Sequence, residues 1–160
     1  MIEQDDGRGF RQALGGFATG VALIAADTAQ GVAGIVVNSF TSVSLTPRLV
    51  LWCLGDASDR YGAFSEAERW SANVLGVGQQ AVSARVARPG GHDISDLSIA
   101  RLHGAPVLDG AIAQLSCRTR ERLTMGDHLV IVGDVEGYAA SAGDGLLYFR
   151  GRYGRAVTEA

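Results

Sequence analysis

Six or seven short apolar runs, brief connections between them and helical periodicity confined to three short segments predict a mainly β protein. The strands are expected to close into an antiparallel barrel with the helices at its periphery. Closure also removes exposed sheet edges, whose unpaired backbone groups invite association. At 160 residues the chain is long enough for one buried core and short for two, so a single domain is expected.

Phe10, Leu14, Phe17 and Ala18 recur at helical spacing and predict a short amphipathic helix ending near Thr19 and Gly20, after a tail of residues 1–9. The runs VALIAA (21–26) and VAGIVV (32–37) flank DTAQG (27–31), a polar connection ending in glycine that suits an antiparallel hairpin. LVLWCL (49–54) follows Pro47 and has the length of a buried strand. Residues 59–68 predict a short helix, 70–75 a strand, and 79–87 another short helix, halted by Pro89, Gly90 and Gly91. From there to Pro106 the pattern reads mostly as loop. Residues 113–122 alternate small or apolar with polar side chains, as a half-exposed strand does. Residues 128–135 are again strand-like, Gly143, Asp144 and Gly145 mark a turn, and LLYF (146–149) closes the series. No repeat, linker or low-complexity tract interrupts this order.

The composition is 47% hydrophobic and only 19% charged, so part of the apolar surface is expected to lie against a second subunit, with a homodimer as the simplest case. A net charge of −3 without any basic run argues against nucleic acid or an anionic membrane surface as partner. The start MIEQDDGRG lacks a basic, apolar leader, and no apolar stretch approaches the roughly 20 residues of a membrane span, so the cytoplasm is the expected location. Cys53 and Cys117 lie in separate apolar runs and are expected to be buried free thiols. All 14 basic residues are arginine. Without lysine the chain has no pyridoxal Schiff base, no P-loop amine and no kinase ion pair.

Gly76, Gly78 and Ala81 sit between a predicted strand and a predicted helix, with Asp96 downstream, a superficial dinucleotide-binding pattern. A Rossmann unit requires a second buried strand that ends in the acidic residue, whereas 89–96 is a polar loop. The histidines His92, His103 and His128 show no triad or zinc spacing, so no metal is expected. The stretch VVNSFTSVSL (36–45) remains. Asn38, Ser39, Thr41, Ser42 and Ser44 suit an acceptor-rich ligand such as a flavin ring edge or a phosphate, and equally a solvated edge strand.

FRQALGGFATGV (10–21), VNSFTSVSL (37–45) with Pro47, NVL (73–75), GAP (104–106) and GDH (126–128) together resemble the ordered signature of the flavin reductase domain family, over residues 10 to 153. The resemblance implies a six- to seven-stranded antiparallel split β-barrel of Greek-key type, covering residues 10–157 and usually homodimeric. It implies FMN or FAD held near the dimer interface, NADH or NADPH as hydride donor, and a separate flavin-dependent monooxygenase that receives the reduced flavin.

By the same resemblance, Val37, Asn38, Ser39, Phe40, Thr41, Ser42 and Ser44 run beside the isoalloxazine ring and ribityl chain, with Asn38, Ser39, Thr41 and Ser42 as the hydrogen-bonding members. Phe40 interrupts a polar run in a barrel wall and is expected to pack inward. The segment LGDASDR (54–60) corresponds to the family's phosphate-binding segment, with Leu54, Ser58 and Arg60 as members. Ser58 as a helix cap, with Arg60 paired to an aspartate, is an equally good reading, and Asp56 and Asp59 add negative charge there. Gln79 and Ser83 fall where the family's short helix approaches the cofactor, although a solvated helix face also explains them. His128 is implied to stand against the nicotinamide as the catalytic position, the alternative being a histidine satisfied by Asp127 or a backbone carbonyl, and Tyr153 is implied to cover the same pocket. Hydride transfer between two cofactors needs no acid, base or nucleophile from the protein, which agrees with the lack of a reactive constellation. A non-catalytic flavin carrier on the same fold is the alternative function, and a pyridoxamine-phosphate oxidase relative is a weaker third.

Overall fold

The computed structural model describes residues 7–158. In chain order the elements are α1 (Arg8–Leu14), β1 (Thr19–Gly20), β2 (Ala22–Thr28), β3 (Gly31–Val37), β4 (Thr41–Leu45), β5 (Arg48–Gly55), α2 (Tyr61–Phe64), β6 (Arg69–Val74), a 3₁₀ turn (Val77–Gln79), α3 (Gln80–Val86), β7 (Ile99–Leu102), β8 (Ala105–Leu108), β9 (Ala113–Met125), β10 (His128–Ala140), β11 (Leu146–Phe149) and β12 (Arg152–Arg155).

Seven of the strands form one antiparallel sheet in the order β3-β2-β6-β9-β10-β5-β4. Laid flat, its outermost strands would stand about 29 Å apart, six spacings of about 4.8 Å. Yet β3 ends at Val37 and β4 begins at Thr41, a distance that four residue steps span over at most about 14 Å. The sheet therefore curls until its two edges approach, which makes it a barrel with one slit. Ser39, inside the link, accepts the Cys53 backbone N–H through its hydroxyl at 2.9 Å and lies 3.4 Å from the Cys53 carbonyl. A side chain thereby carries the pairing with β5 beyond the end of β4.

The barrel interior is organised on Trp52, with Phe64 edge-on at 5.7 Å and Trp70 at 6.0 Å between ring centroids. Trp70 donates its indole N–H to the Thr119 hydroxyl at 3.0 Å, whereas the equally buried Trp52 indole N–H has no partner among the described residues. The strand β10 shifts register between Val132 and Gly133. A Cβ on Gly133 would stand 2.5 Å from the Trp70 ring, so the bulge brings bare backbone against the indole. A second apolar layer, containing Leu23, Leu75, Val86, Ile94, Leu108 and Leu146, lies on the other face of the sheet. The run 21–26 is apolar without alternation because β2 is covered on both faces, with Ile24 and Ala26 in the first layer and Leu23 and Ala25 in the second.

Several expectations need correction. The first helix stops at Leu14, before Gly15 and Gly16, and its apolar residues are not buried in this chain: Phe10 is 67% exposed and Phe17 79%. The helix expected over 59–68 is one turn, α2, where Phe64 is the buried residue and Gly62 weakens propagation. The expected loop up to Pro106 contains the β7–β8 hairpin, whose turn places His103 at φ 47° and Gly104 at φ 83°. Its strands escaped the periodicity because Arg101 and Pro106 break the apolar pattern. Neither β1 nor β12 was anticipated; they flank β11 in a small three-stranded sheet. Residues 1–6 of the expected tail lie outside the described residues, whereas Arg8 and Gly9 belong to α1. No parallel strand follows α3, in agreement with the rejection of a dinucleotide-binding unit.

Cys117 is 0% exposed, and burial in the apolar core pushes its thiol from the ordinary value near 9 up to about 12, with the Glu136 and Asp134 carboxylates adding to the shift. A raised folded-state value means that the stabilisation is intact below the ordinary thiol range and is lost as pH rises toward 12, by up to about 1.4 kcal/mol per pH unit. Denaturation midpoints measured from pH 8 to 11 are expected to fall more steeply for the native protein than for Cys117→Ala. A thiol reagent should label Cys53 in the folded protein and Cys117 only after unfolding.

Candidate functional site

The slit between β3 and β4 leaves backbone groups exposed. In an antiparallel ladder successive residues direct their N–H and C=O groups to opposite sides. The Gly34 N–H donates to the His92 carbonyl and the Val32 carbonyl accepts from Ile94, so 32 and 34 face away from β2. By the same alternation Val36 faces the slit, and among the described residues its N–H and C=O have no partner. A cavity of about 380 Å³ opens against this edge, lined by Val36, Asn38, Ser39, His128, Tyr148 and Tyr153, with apolar wall from Val21, Ile35 and Val37.

His128 opens β10 and is paired in register with Gly55 at the end of β5. Its Nδ1 lies 2.7 Å from an Asp127 carboxylate oxygen. That hydrogen bond, and then the charge of the imidazole, holds the Asp127 carboxyl below the usual carboxylate range. An ionised carboxylate only accepts, so Nδ1 carries the proton, and in the neutral ring Nε2 is left as an acceptor.

Tyr153 is held from two sides. Its hydroxyl is 2.9 Å from that of buried Ser83 on α3, and its ring stands edge-on to Tyr148 at 5.6 Å. Ser83 thus reaches the cavity through Tyr153.

Of the residues singled out from the sequence, Val37, Asn38, Ser39, His128 and Tyr153 meet at this cavity. Asn38 is exposed, with an amide that has no protein partner among the described residues, whereas the Ser39 hydroxyl is already engaged by Cys53. Phe40 packs against the Trp52 core, as expected. Thr41, Ser42 and Ser44 lie on β4 beside β5, outside the cavity wall, with Thr41 and Ser42 exposed. Leu54 is a core residue at 0% exposure. Ser58 accepts the Arg60 N–H at 3.1 Å. Gln79 accepts the Gly76 N–H at 3.1 Å and donates to the Asp109 carbonyl at 3.1 Å, which closes the 3₁₀ turn.

Arg60 is buried, 7% exposed, and its guanidinium is shared among Asp59, the Gly34 carbonyl on β3, and the Val86 and Arg88 carbonyls at the end of α3. The cation sits at a helix C-terminus, where orphan carbonyls and the helix dipole favour it. This is the aspartate-paired alternative, with the additional task of tying α3 to β3. The sequence reading missed Tyr148 and the Val36 backbone. The Tyr148–Tyr153 pair becomes visible only once β12 is recognised, because the two residues are cross-strand partners.

The sequence matches the flavin reductase like domain family over residues 14–156, and the chain belongs to that family. It is 43% identical over 152 residues to FMN reductase (NADH) SmoA of Agrobacterium fabrum, covering 94% of this chain and 87% of that protein. It is 35% identical to the reductase component of the flavin-dependent trigonelline monooxygenase of Acinetobacter baylyi over 91% of this chain, which spans about half, 48%, of that longer relative. The NADH:FAD oxidoreductase SgcE6 of Streptomyces globisporus, solved with NAD and FAD fragments, superposes with a TM-score of 0.88 at 29% identity, covering all of this chain and 98% of that one.

Replacing Arg60 by alanine strands the Gly34, Val86 and Arg88 carbonyls and leaves Asp59 without its cation. The variant is expected to lose about 2–4 kcal/mol in chemical denaturation. Arg60→Lys should recover only a minor part, because one ammonium cannot reproduce the fork that reaches both helix-end carbonyls and Gly34.

Proposed function

We propose that this protein is an NADH-dependent flavin reductase that binds FMN or FAD in the slit cavity and supplies reduced flavin to a separate monooxygenase. The observation that carries the reading is the unpaired Val36 backbone edge facing a cavity with His128 and two tyrosines on its wall, in a chain of this family. The residues fit a flavin. The free N–H and C=O of Val36 and the amide of Asn38 complement a ring edge that carries both donors and acceptors, and Val21, Ile35 and Val37 supply apolar surface for the ring.

The redox chemistry belongs to the bound pair, a nicotinamide that gives a hydride and a flavin that takes it up. The protein contributes position. Asp127 fixes the His128 ring, leaving Nε2 to accept from a carboxamide such as that of nicotinamide, and Ser83 holds Tyr153 at the cavity wall. Thr41, Ser42 and Ser44 belong to the same proposal as the continuation of the flavin-facing segment along β4, and Ser58 and Arg60 support it from behind rather than by direct contact. The proposal extends to a homodimer, supported by the uncovered apolar side chains of Phe10, Leu14, Phe17 and Leu45. It also extends to a cytoplasmic setting, supported by the free thiols.

Anaerobic mixing with NADH and FMN or FAD should bleach the flavin absorbance well above the uncatalysed rate; the absence of bleaching with either flavin rejects the enzyme. His128→Ala is expected to raise the KM for NADH about tenfold while leaving flavin affinity largely intact. Asp127→Asn, whose amide no longer demands the proton on Nδ1, is expected to raise the KM for NADH in the same direction as His128→Ala. Sedimentation is expected to give twice the chain mass; a monomer at micromolar concentration rejects the dimer.

A further inference from the structure

The reductase reading leaves open where a protein of net charge −3 accommodates the phosphates of its ligands. Among the described residues eight arginines are neutralised by carboxylates within 4 Å, including Arg60, Arg85 and Arg101. Arg48, Arg88 and Arg152 are not, and neither are Arg11 and Arg150. Both line a second cavity, of about 800 Å³, between α1 and the β11–β12 turn, whose walls include Gly9, Gly15, Gly16 and Gly151.

Two links join this basic cavity to the proposed flavin and nicotinamide site. The β11–β12 hairpin borders both, with Tyr148 and Tyr153 on the slit cavity and Arg150 and Gly151 on the basic one. The charge of Arg11 also contributes to holding the Asp127 carboxyl low, which places its field beside His128. Asp127 is already bonded to His128 and forms no ion pair with Arg11.

The turn adds an independent observation. Phe149 pairs with Arg152 across a two-residue connection, and both connecting residues have left-handed backbone, Arg150 at φ 47° and Gly151 at φ 76°. Such a turn prefers Asn-Gly, and a long cationic side chain in the first position costs about 1 kcal/mol. The Arg150 N–H donates to the Gly15 carbonyl at 3.0 Å, which fixes the turn against the end of α1. Among the described residues its guanidinium has no hydrogen bond or ion pair, and it lies over the Phe149 ring, 5.0 Å from the centroid. A locally disfavoured arginine, anchored by its backbone and unpaired at its tip, has the character of a ligand group.

Resting on the reductase reading, we propose that Arg11 and Arg150 form a phosphate-binding subsite that holds the phosphate or diphosphate of the nucleotide whose ring occupies the adjoining slit. Glycine walls let that group approach the backbone closely, and two guanidinium forks satisfy its oxygens.

The test uses the full-length double variant Arg11→Gln/Arg150→Asn, in which asparagine suits the left-handed turn, with Arg101→Ala, paired to Asp27 elsewhere, as control for the loss of charge. NADH KM, and the affinities of FAD, FMN and riboflavin by fluorescence titration, are measured at two salt concentrations. The double variant is expected to lose about tenfold or more for at least one phosphate-bearing ligand, and the salt dependence of that ligand should flatten, with riboflavin and the control unaffected. A rise in NADH KM alone assigns the subsite to the donor; weaker FMN and FAD binding assigns it to the flavin. Unchanged values in a variant that still reduces flavin overturn the subsite, as does an equal loss for riboflavin, which would make the arginines supports of the fold. If the native protein itself neither binds nor reduces flavin, the reductase reading falls first and takes the subsite with it.

Discussion

A three-residue link joins the two outermost strands of a seven-stranded sheet, and most of the architecture follows from that constraint. Chain connectivity forces the edges of β3 and β4 together, but nothing requires them to pair along their length. The result is a barrel closed by covalent connection rather than by a full ladder. Ser39 secures the link to β5 with one hydroxyl, while the Val36 backbone on the opposite lip stays unpaired. An exposed strand edge is ordinarily a liability. Here it is short, recessed in a cavity and flanked by aromatic side chains, which is where the flavin ring is proposed to lie.

What stands around the slit is held by interactions that do not themselves face it. Arg60 fastens the end of α3 to β3, and through α3 it places Ser83, whose hydroxyl positions Tyr153. The three-stranded sheet is attached to the barrel by the Leu146 N–H, which donates to the Leu75 carbonyl, and this attachment sets the height of both tyrosines. Below, the Trp52, Phe64 and Trp70 cluster fixes the curvature of the sheet by filling its interior, with Gly133 admitting the Trp70 ring against the backbone of β10. Rigid walls of this kind suit a reaction in which orientation matters more than the acidity of any side chain. The poverty of reactive groups is then a consistent feature: no lysine, no described metal cluster, and one histidine tethered to a neighbouring carboxylate.

Much was legible from the sequence alone. Continuous apolar runs marked β2, β3 and β5, alternation marked β9, and five ordered blocks carried the resemblance to the family that the comparisons establish. Those signals are local: burial on both faces removes polar residues, burial on one face alternates them, and both patterns are written directly in residue order. The hydroxyl-rich stretch was also visible, but its division of labour was not. Among the described residues the Asn38 amide has no partner, Ser39 is engaged by Cys53, and Thr41 and Ser42 run along an outer strand, distinctions set by which atoms the curled sheet brings close.

The amino-acid order by itself determined the strand-rich class, the absence of lysine chemistry and membership of the family, because each depends on composition, periodicity or motif order. Only the tertiary structure decided that β3 and β4 meet at a slit, that Arg60 clasps a helix end, that Tyr148 stands across from Tyr153, and that Arg11 and Arg150 share a cavity. Arg60 and the end of α3, like Arg11 and Arg150, lie tens of positions apart, Tyr148 and Tyr153 meet across the β11–β12 turn, and the slit comes from closing a sheet on itself. That closure depends on the packing of the whole core, and no segment read alone contains it.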